Sequence, residues 1–416
     1  MAYGYNDDTL YRLWCVLALG AGSRAINDLL SRYGDDPGRV YAALSQDEVL
    51  RSEFSDKSVA WMDRVSVDDA RSVLEKCFRF GIKVITPLDE CYPKRLESVF
   101  APPQVLFVKG DISPLDSMLT IGVVGTRKPS EYSRQVADAV VTSSVKRGMA
   151  VVSGFAEGID ISAALTAVRR HGKTFAVIGC GIDVDYPKSN SRYREMIASN
   201  GAIISEFPPG TDPLARNFPQ RNRILSGLSD TLCVIEAGEK SGSLNTASHA
   251  AEQGKTVFAV VPGDLFDVRY KGQAELIRDG AVPFMGMGDI FDVYENEPEI
   301  KEKAKTALKP KEKAPSVKEQ PSSEKKEKKQ GKTGKARTAA HAKAPKEEKS
   351  PSLPLKEAET ELGKRIAEAV RSAGSIDLEG LSEIIDCDTD ELLSELTMLE
   401  LDNIIINEGT RYVPGK

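Results

Sequence analysis

Apolar positions recur at helical spacing over the first eighty residues and then change to short continuous runs. Leu10, Leu13, Val16 and Leu17 mark one helical face, and Ile26, Leu29 and Leu30 begin a second. Gly20-Ala21-Gly22-Ser23-Arg24 breaks the two helices apart. Such a turn either presents backbone N–H groups to a phosphate or simply closes a tight corner in a helical bundle. From Leu119 onward the texture is different. Thr120–Val124, Ala150–Val152, Thr174–Ile178, Ala202–Ser205, Thr231–Ile235 and Val257–Val261 are apolar without alternation, the pattern of strands buried on both faces. Amphipathic stretches at Ser133–Arg147, Gly158–Arg170, Arg221–Leu228 and Ser243–Gln253 lie between them. Strands joined by helices through right-handed crossovers predict an α/β core with a Rossmann-like, doubly wound, mostly parallel sheet.

Helical periodicity returns near the end, at Lys356–Arg371, Leu378–Ile385 and Asp390–Leu401. Ile404-Ile405-Ile406 and Arg411-Tyr412-Val413 then read as a hairpin, which completes a winged-helix pattern. Lys301–Ser350 has no aromatic residue and is mostly Lys, Glu, Ala, Pro and Ser. It cannot bury enough apolar surface to offset its ordering entropy, so it reads as a disordered tether. The predicted organisation is therefore a small N-terminal helical domain of helix-hairpin-helix or SAM-like type (1–85) and a Rossmann-like core (86–296). A basic linker (297–352) and a C-terminal winged-helix domain (353–416) follow.

Composition narrows the class. A chain of 416 residues, 41% apolar, exceeds the ~250–300 that one core serves. No run nears the ~18 apolar residues of a membrane span, and the first residues lack a signal peptide's basic and apolar regions. Six cysteines without a Cys-x-x-Cys pair and three dispersed histidines exclude a disulfide scaffold and a zinc or histidine metal site. The expectation is a reduced, cytoplasmic protein with no cofactor, no metal and no membrane contact.

Charge is unevenly placed. The net value of −6 combines 17 Lys+Arg against 7 Glu in residues 301–350 with 6 Lys+Arg against 15 Asp+Glu in residues 351–416. Local placement, not the total, decides affinity for nucleic acid. The tail's third helix carries Asp390, Glu391, Glu395 and Glu400 and no Lys or Arg, so the tail reads as a protein-contact domain rather than a duplex reader. Leu393, Leu396, Met398 and Leu399 offer it an apolar edge, or else pack inside it.

In a parallel sheet, ligands lie beyond the carboxyl ends of the strands. The loops there are Gly125-Thr126-Arg127-Lys128, Ser153-Gly154, Gly179-Cys180-Gly181, Asn217–Arg223 and Ser241-Gly242-Ser243. Glycines admit close backbone approach, helix N-termini offer N–H groups, and Arg forks fit phosphate oxygens. Together the loops suit a polyanion; any one alone also reads as a strand–helix turn. Val184 breaks a Gly-x-Gly-x-x-Gly pattern, and no Walker-type loop is present. Phe218 with Arg221 and Arg223 suits stacked single-stranded bases and their backbone, or equally a core Phe beside two solvated arginines. Asp160 and Glu206 sit near strand ends as an acid or base or as braces, and no nucleophile–base–orienter set is legible.

Longer matches extend these motifs. They are Tyr92-Pro93-Lys94-Arg95-Leu96, Pro102-Pro103, Val123-Val124-Gly125-Thr126-Arg127-Lys128-Pro129, Val152-Ser153-Gly154 and Gly158-Ile159-Asp160. Ala176–Gly181, Tyr186-Pro187, Ser205–Gly210, Asn217-Phe218-Pro219, Arg221–Ile224, Ser241–Leu244 and Val261-Pro262-Gly263 follow in order. Over about residues 90–285 the chain resembles the DNA-processing protein A (DprA/Smf) family. The resemblance implies a single-stranded DNA-binding recombination mediator that protects incoming DNA and helps load the RecA recombinase during natural transformation. It implies dimerisation through the core and no catalytic residue. Its candidate DNA-binding residues are Gly125, Thr126, Arg127, Lys128, Ser153, Gly154, Gly181, Asn217, Phe218, Arg221, Asn222, Arg223, Ser241, Gly242 and Ser243. The chain departs from the family at Ala164, where a His is usual, at Glu157, where a basic residue is frequent, and at Gly272–Ile277. A nucleotide phosphoribohydrolase-like enzyme on the same core is the alternative, although Ser241–Ala247 lacks that group's carboxylate. A purely partner-binding role is a third reading.

Overall fold

A computed structural model of the chain describes residues 5–296 and, in the tail, 360–385, 387, 392, 395–396, 398–400, 404–407 and 411–415. They belong to two compact units divided at Lys309 and Pro310. The linker 301–350 and Leu393 lie outside the described residues.

The first unit opens with helices α1 (Asp7–Leu19), α2 (Arg24–Arg32), α3 (Pro37–Gln46), α4 (Glu48–Arg51), α5 (Asp56–Met62) and α6 (Val67–Arg79). Polar caps start them: Asn6 accepts from the Thr9 N–H, and Ser66 with Asp69 forms a reciprocal capping box on α6. Leu13, Trp14 and Val16 of α1, Ile26, Leu29 and Leu30 of α2 and Leu44 of α3 are all buried where α1 packs on α2 and α3. Arg12 is fully buried, paired with Asp8 at 2.7 Å and Asp35 at 2.9 Å. It also donates to Gln104 at 2.6 Å, which joins the helical region to the sheet region.

Nine strands form one sheet: β1 (Lys83–Ile85), β2 (Leu106–Gly110), β3 (Thr120–Val124), β4 (Ala150–Ser153), β5 (Thr174–Ile178), β6 (Ala202–Ser205), β7 (Thr231–Val234), β8 (Val257–Val260) and β9 (Val282–Phe284). Their order is β1-β2-β6-β5-β4-β3-β7-β8-β9. Pairing is parallel from β6 to β9 and antiparallel at β1–β2 and β2–β6. The sheet thus begins at Lys83, within the region read as helical. Helices α7 (Glu131–Lys146), α8 (Ile159–Arg169), α9 (Arg194–Asn200), α10 (Asn217–Leu228), α11 (Gly242–Glu252), α12 (Lys271–Arg278) and α13 (Met287–Asn296) join and cover the strands. Alternate residues of each central strand enter separate cores. Val124, Val152, Val177 and Val234 pack with Ile224 and Leu228 of α10, while Ile121, Val123, Val151 and Ile235 pack with Val140, Ala163 and Ile290. Continuous apolar runs are what burial on both faces requires.

The second unit holds α14 (Glu361–Ala373), β10 (Ile376–Asp377), α15 (Leu378–Ile384), β11 (Ile405–Asn407) and β12 (Arg411–Pro414). Its sheet runs β10-β12-β11, and Ile366, Val370, Leu381, Leu392, Leu396, Leu399 and Ile405 form its core. Leu396 and Leu399, 1% and 2% exposed, are therefore core residues and do not form a free apolar edge. The isolated segment 351–416 should show no duplex DNA binding at physiological salt in a fluorescence titration. Micromolar binding abolished by Arg411→Ala would reverse that assignment.

Among the described residues no helix is long and apolar enough to cross a membrane, and no cluster of His, Cys, Asp or Glu could hold a metal ion.

Candidate nucleic-acid interface

The strand order reverses between β3 and β7, and such a switch point opens a crevice at the carboxyl ends of the strands. Here it is a cavity of about 620 Å³, lined by the loops that follow β3, β4, β5 and β7 and by one face of α10.

Helix α10 explains which candidates meet there. It starts at Asn217, four residues before the amphipathic stretch read from sequence, so Asn217–Arg223 is helix and not loop. Phe218, Arg221, Asn222 and Leu225 are then spaced i, i+3, i+4 and i+7, and all four line the cavity. Arg223 stands two residues from Arg221, about 200° around the helix. It points away and pairs with Glu206 at 2.5 and 2.7 Å, both side chains buried. The two arginines are neither a matched pair in the pocket nor solvated.

The Gly20–Gly22 turn seats on this far side of α10. Gln220 Nε2 donates to the Ala21 carbonyl, and the Gly22 N–H donates to the Glu206 carboxylate. With φ at +66°, a conformation that side chains rarely adopt, Gly22 lets the turn close against Gln220, whose Nε2 lies 1.7 Å from where a Cβ would stand. Of the two sequence readings of this turn, the packed corner is the one the structure adopts.

Arg221 forms part of the cavity floor. Its Nη1 donates to the Gly154 carbonyl at 2.6 Å and to the Val177 carbonyl. Asp160 opposes its charge while accepting backbone N–H groups from Gly154, Ala156 and Gly125. Gly154 is held to glycine by crowding, since a Cβ there would sit 2.4 Å from Asp160 Oδ2 and 2.7 Å from Arg221 Nη1. Burial raises the Asp160 carboxyl from 3.8 to about 6, against the pull of Arg221. A carboxyl raised on folding takes up a proton as the chain folds, so its stability contribution is full below the unfolded value of 3.8 and is lost as pH rises through about 6. In urea unfolding, the stability of the wild type relative to Asp160→Asn should therefore increase from pH 7 to pH 5. A difference independent of pH would show that Asp160 does not titrate in this window.

The rim is cationic. Gly158, at φ +81°, packs so closely that a Cβ would lie 2.4 Å from the Thr126 carbonyl, which also accepts from the Ile159 N–H at 3.1 Å. This contact fixes the loop that carries Arg127 and Lys128. Both are exposed, as is Lys240 in the loop after β7, and none of the three makes an ion pair among the described residues. Ser241 caps α11, whose first residues, Gly242 and Ser243, also line the cavity.

Of the sequence candidates, Gly125, Thr126, Arg127, Lys128, Gly154, Phe218, Arg221, Asn222, Ser241, Gly242 and Ser243 line the cavity. Ser153 instead donates to the Val123 carbonyl at 2.8 Å, Asn217 to the Asp212 carbonyl at 3.1 Å, and the Gly181 N–H to the Thr211 carbonyl at 2.9 Å. These three brace the loops. Lys240, which the sequence reading did not single out, and Phe155 and Tyr186, which it quoted in motifs without assigning them to the site, also line the cavity. Tyr186 stands 5.5 Å from the Phe218 ring at 42°, an aromatic pair that only the fold brings together.

Fold and cleft define a Rossmann-like α/β protein with a cationic, aromatic-bearing crevice at its switch point. The family model of DNA recombination-mediator protein A matches residues 83–295. The DNA processing protein DprA of Bacillus subtilis is 42% identical over 212 residues, 51% of this chain and 71% of the relative. That of Streptococcus pneumoniae is 37% identical over 254 residues, 60% of this chain and 88% of the relative. The X-ray structure of the Streptococcus pneumoniae protein aligns at a TM-score of 0.59 and 32% identity, covering 69% of this chain and 98% of that one. The chain belongs to the DNA recombination-mediator protein A family. Its role lies in DNA processing as a recombination mediator.

Proposed function

We propose that the crevice binds single-stranded DNA, and that the protein passes the bound strand to a RecA-type recombinase without catalysing a reaction on it. The carrying observation is the set of exposed cations Arg127, Lys128 and Lys240, without an ion pair among the described residues, beside the Phe218 and Tyr186 rings. Aromatic faces recessed in a cleft accept unpaired bases, whereas bases in a duplex are already stacked and cannot enter. Asp160 is engaged by Arg221 and backbone N–H groups, Glu206 by Arg223, and Glu157, the other carboxylate of the lining, accepts from the Ser189 hydroxyl at 2.6 Å. That supports a binding role over the phosphoribohydrolase-like alternative, which release of free base from nucleoside monophosphates would establish instead.

A second copy of the chain has an apolar edge to meet at β9, where Val282 and the neighbouring Met285 are exposed. Dimerisation there would set two crevices on one assembly.

The test is an anisotropy titration with labelled oligonucleotides across a salt series. Single strands should bind at least tenfold tighter than duplexes of the same length, with a log–log slope of about −0.7 per phosphate contacted. Equal affinities would contradict the reading.

A further inference from the structure

The cavity ends blind on the sheet. Val124 and Ile178, at the carboxyl ends of β3 and β5, form part of its floor. Its volume of about 620 Å³ falls in the range of small-molecule sites. Its lining also divides by chemistry. The half-buried rings of Tyr186 and Phe218 supply aromatic wall, whereas Arg127, Lys128, Lys240 and the start of α11 supply cations and backbone N–H groups.

Charge distinguishes among phosphates. Arg127, Lys128, Arg221 and Lys240 face only Glu157 and Asp160 in the lining, which leaves a surplus of two positive charges. A phosphomonoester carries about −1.5 to −2 at pH 7, more than the single charge of a backbone phosphodiester. Arg221 gives a second, independent indication of a ligand. It is 6% exposed and lines the cavity, and its Nη2, unlike Nη1, has no acceptor among the described residues. A buried guanidinium with open donors is costly unless an acceptor arrives.

We propose that this cavity binds a nucleoside 5′-phosphomonoester, with the base against the aromatic wall and the phosphate at the cationic rim and the start of α11. The proposal rests on the reading of the crevice as a nucleic-acid site and deepens it. The same chemistry has two sources, a free nucleotide or the 5′-phosphorylated end of a strand.

The experiment uses the full chain. The four deoxynucleoside 5′-monophosphates, their nucleosides and inorganic phosphate are titrated separately by thermal shift, then used to displace a labelled oligonucleotide bearing a 5′-hydroxyl. At least one monophosphate should raise the melting temperature at millimolar concentration and displace the oligonucleotide. Its nucleoside and inorganic phosphate should each be at least tenfold weaker. Arg127→Ala/Lys240→Ala, both at exposed positions, should erase the preference for monophosphate over nucleoside. A short oligonucleotide with a 5′-phosphate then identifies the source. Binding tenfold tighter than its 5′-hydroxyl twin assigns the site to strand ends, and equal binding assigns it to free nucleotides. The inference falls alone if the 5′-hydroxyl oligonucleotide binds while no monophosphate does, or if nucleosides bind as well as monophosphates. If monophosphates bind and the oligonucleotide does not, the single-strand reading falls instead.

Discussion

Arg223→Ala should destabilise the fold by about 3–5 kcal/mol in chemical denaturation, because it strands a buried carboxylate. Glu206 is 2% exposed, and the guanidinium of Arg223 offsets the burial that raises its pKa. Without that partner Glu206 must take a proton to stay buried, so the variant should recover stability as pH falls. Replacing both partners, as Glu206→Leu/Arg223→Met, should return most of the loss, since an apolar pair of similar volume leaves no charge uncompensated. The Gly20–Gly22 turn should loosen in the single variant, because its Gly22 N–H donates to the same carboxylate. A variant with near wild-type stability and a flattened salt dependence for DNA would mean that Arg223 acts as a DNA cation after all.

The opposite behaviour is expected at the rim. Arg127→Ala/Lys128→Ala/Lys240→Ala changes only exposed side chains that form no ion pair among the described residues, so stability should move by no more than about 0.5 kcal/mol. Single-strand affinity should fall about 100-fold at 0.1 M salt, from about 0.7 of a counterion released per lost phosphate contact. The log–log slope should flatten by about 2 for the same reason. Melting curves and a salt-series titration read the two quantities separately. Unchanged slope and affinity would remove the rim from the binding surface.

Much of this was legible before the fold was. The runs Thr120–Val124, Thr174–Ile178 and Ala202–Ser205 coincide with β3, β5 and β6, because strands buried on both faces are apolar throughout. The edge strands β1 and β9, three residues each, were not read, since so short a run carries too little pattern, and neither was β2, which ends in Lys109-Gly110. The site was legible as a set of loops, because glycine, hydroxyl and Arg clusters follow strand ends. The direction of each side chain was not. Starting α10 at Arg221 hid the helical geometry that sends Arg221 into the cavity and Arg223 to Glu206. Phe218 and Tyr186 are far apart in sequence, and only the converging loops make them one aromatic wall.

Photo-crosslinking tests the central claim most directly. A single-stranded oligonucleotide carrying 5-iodouracil, irradiated on the full chain and mapped by mass spectrometry, reports which aromatic side chains touch a base. The crevice account predicts adducts on Phe218 or Tyr186 that disappear when an unlabelled single strand is in excess. Adducts confined to the tail unit or to helices α1–α6, with none on either ring, would contradict it.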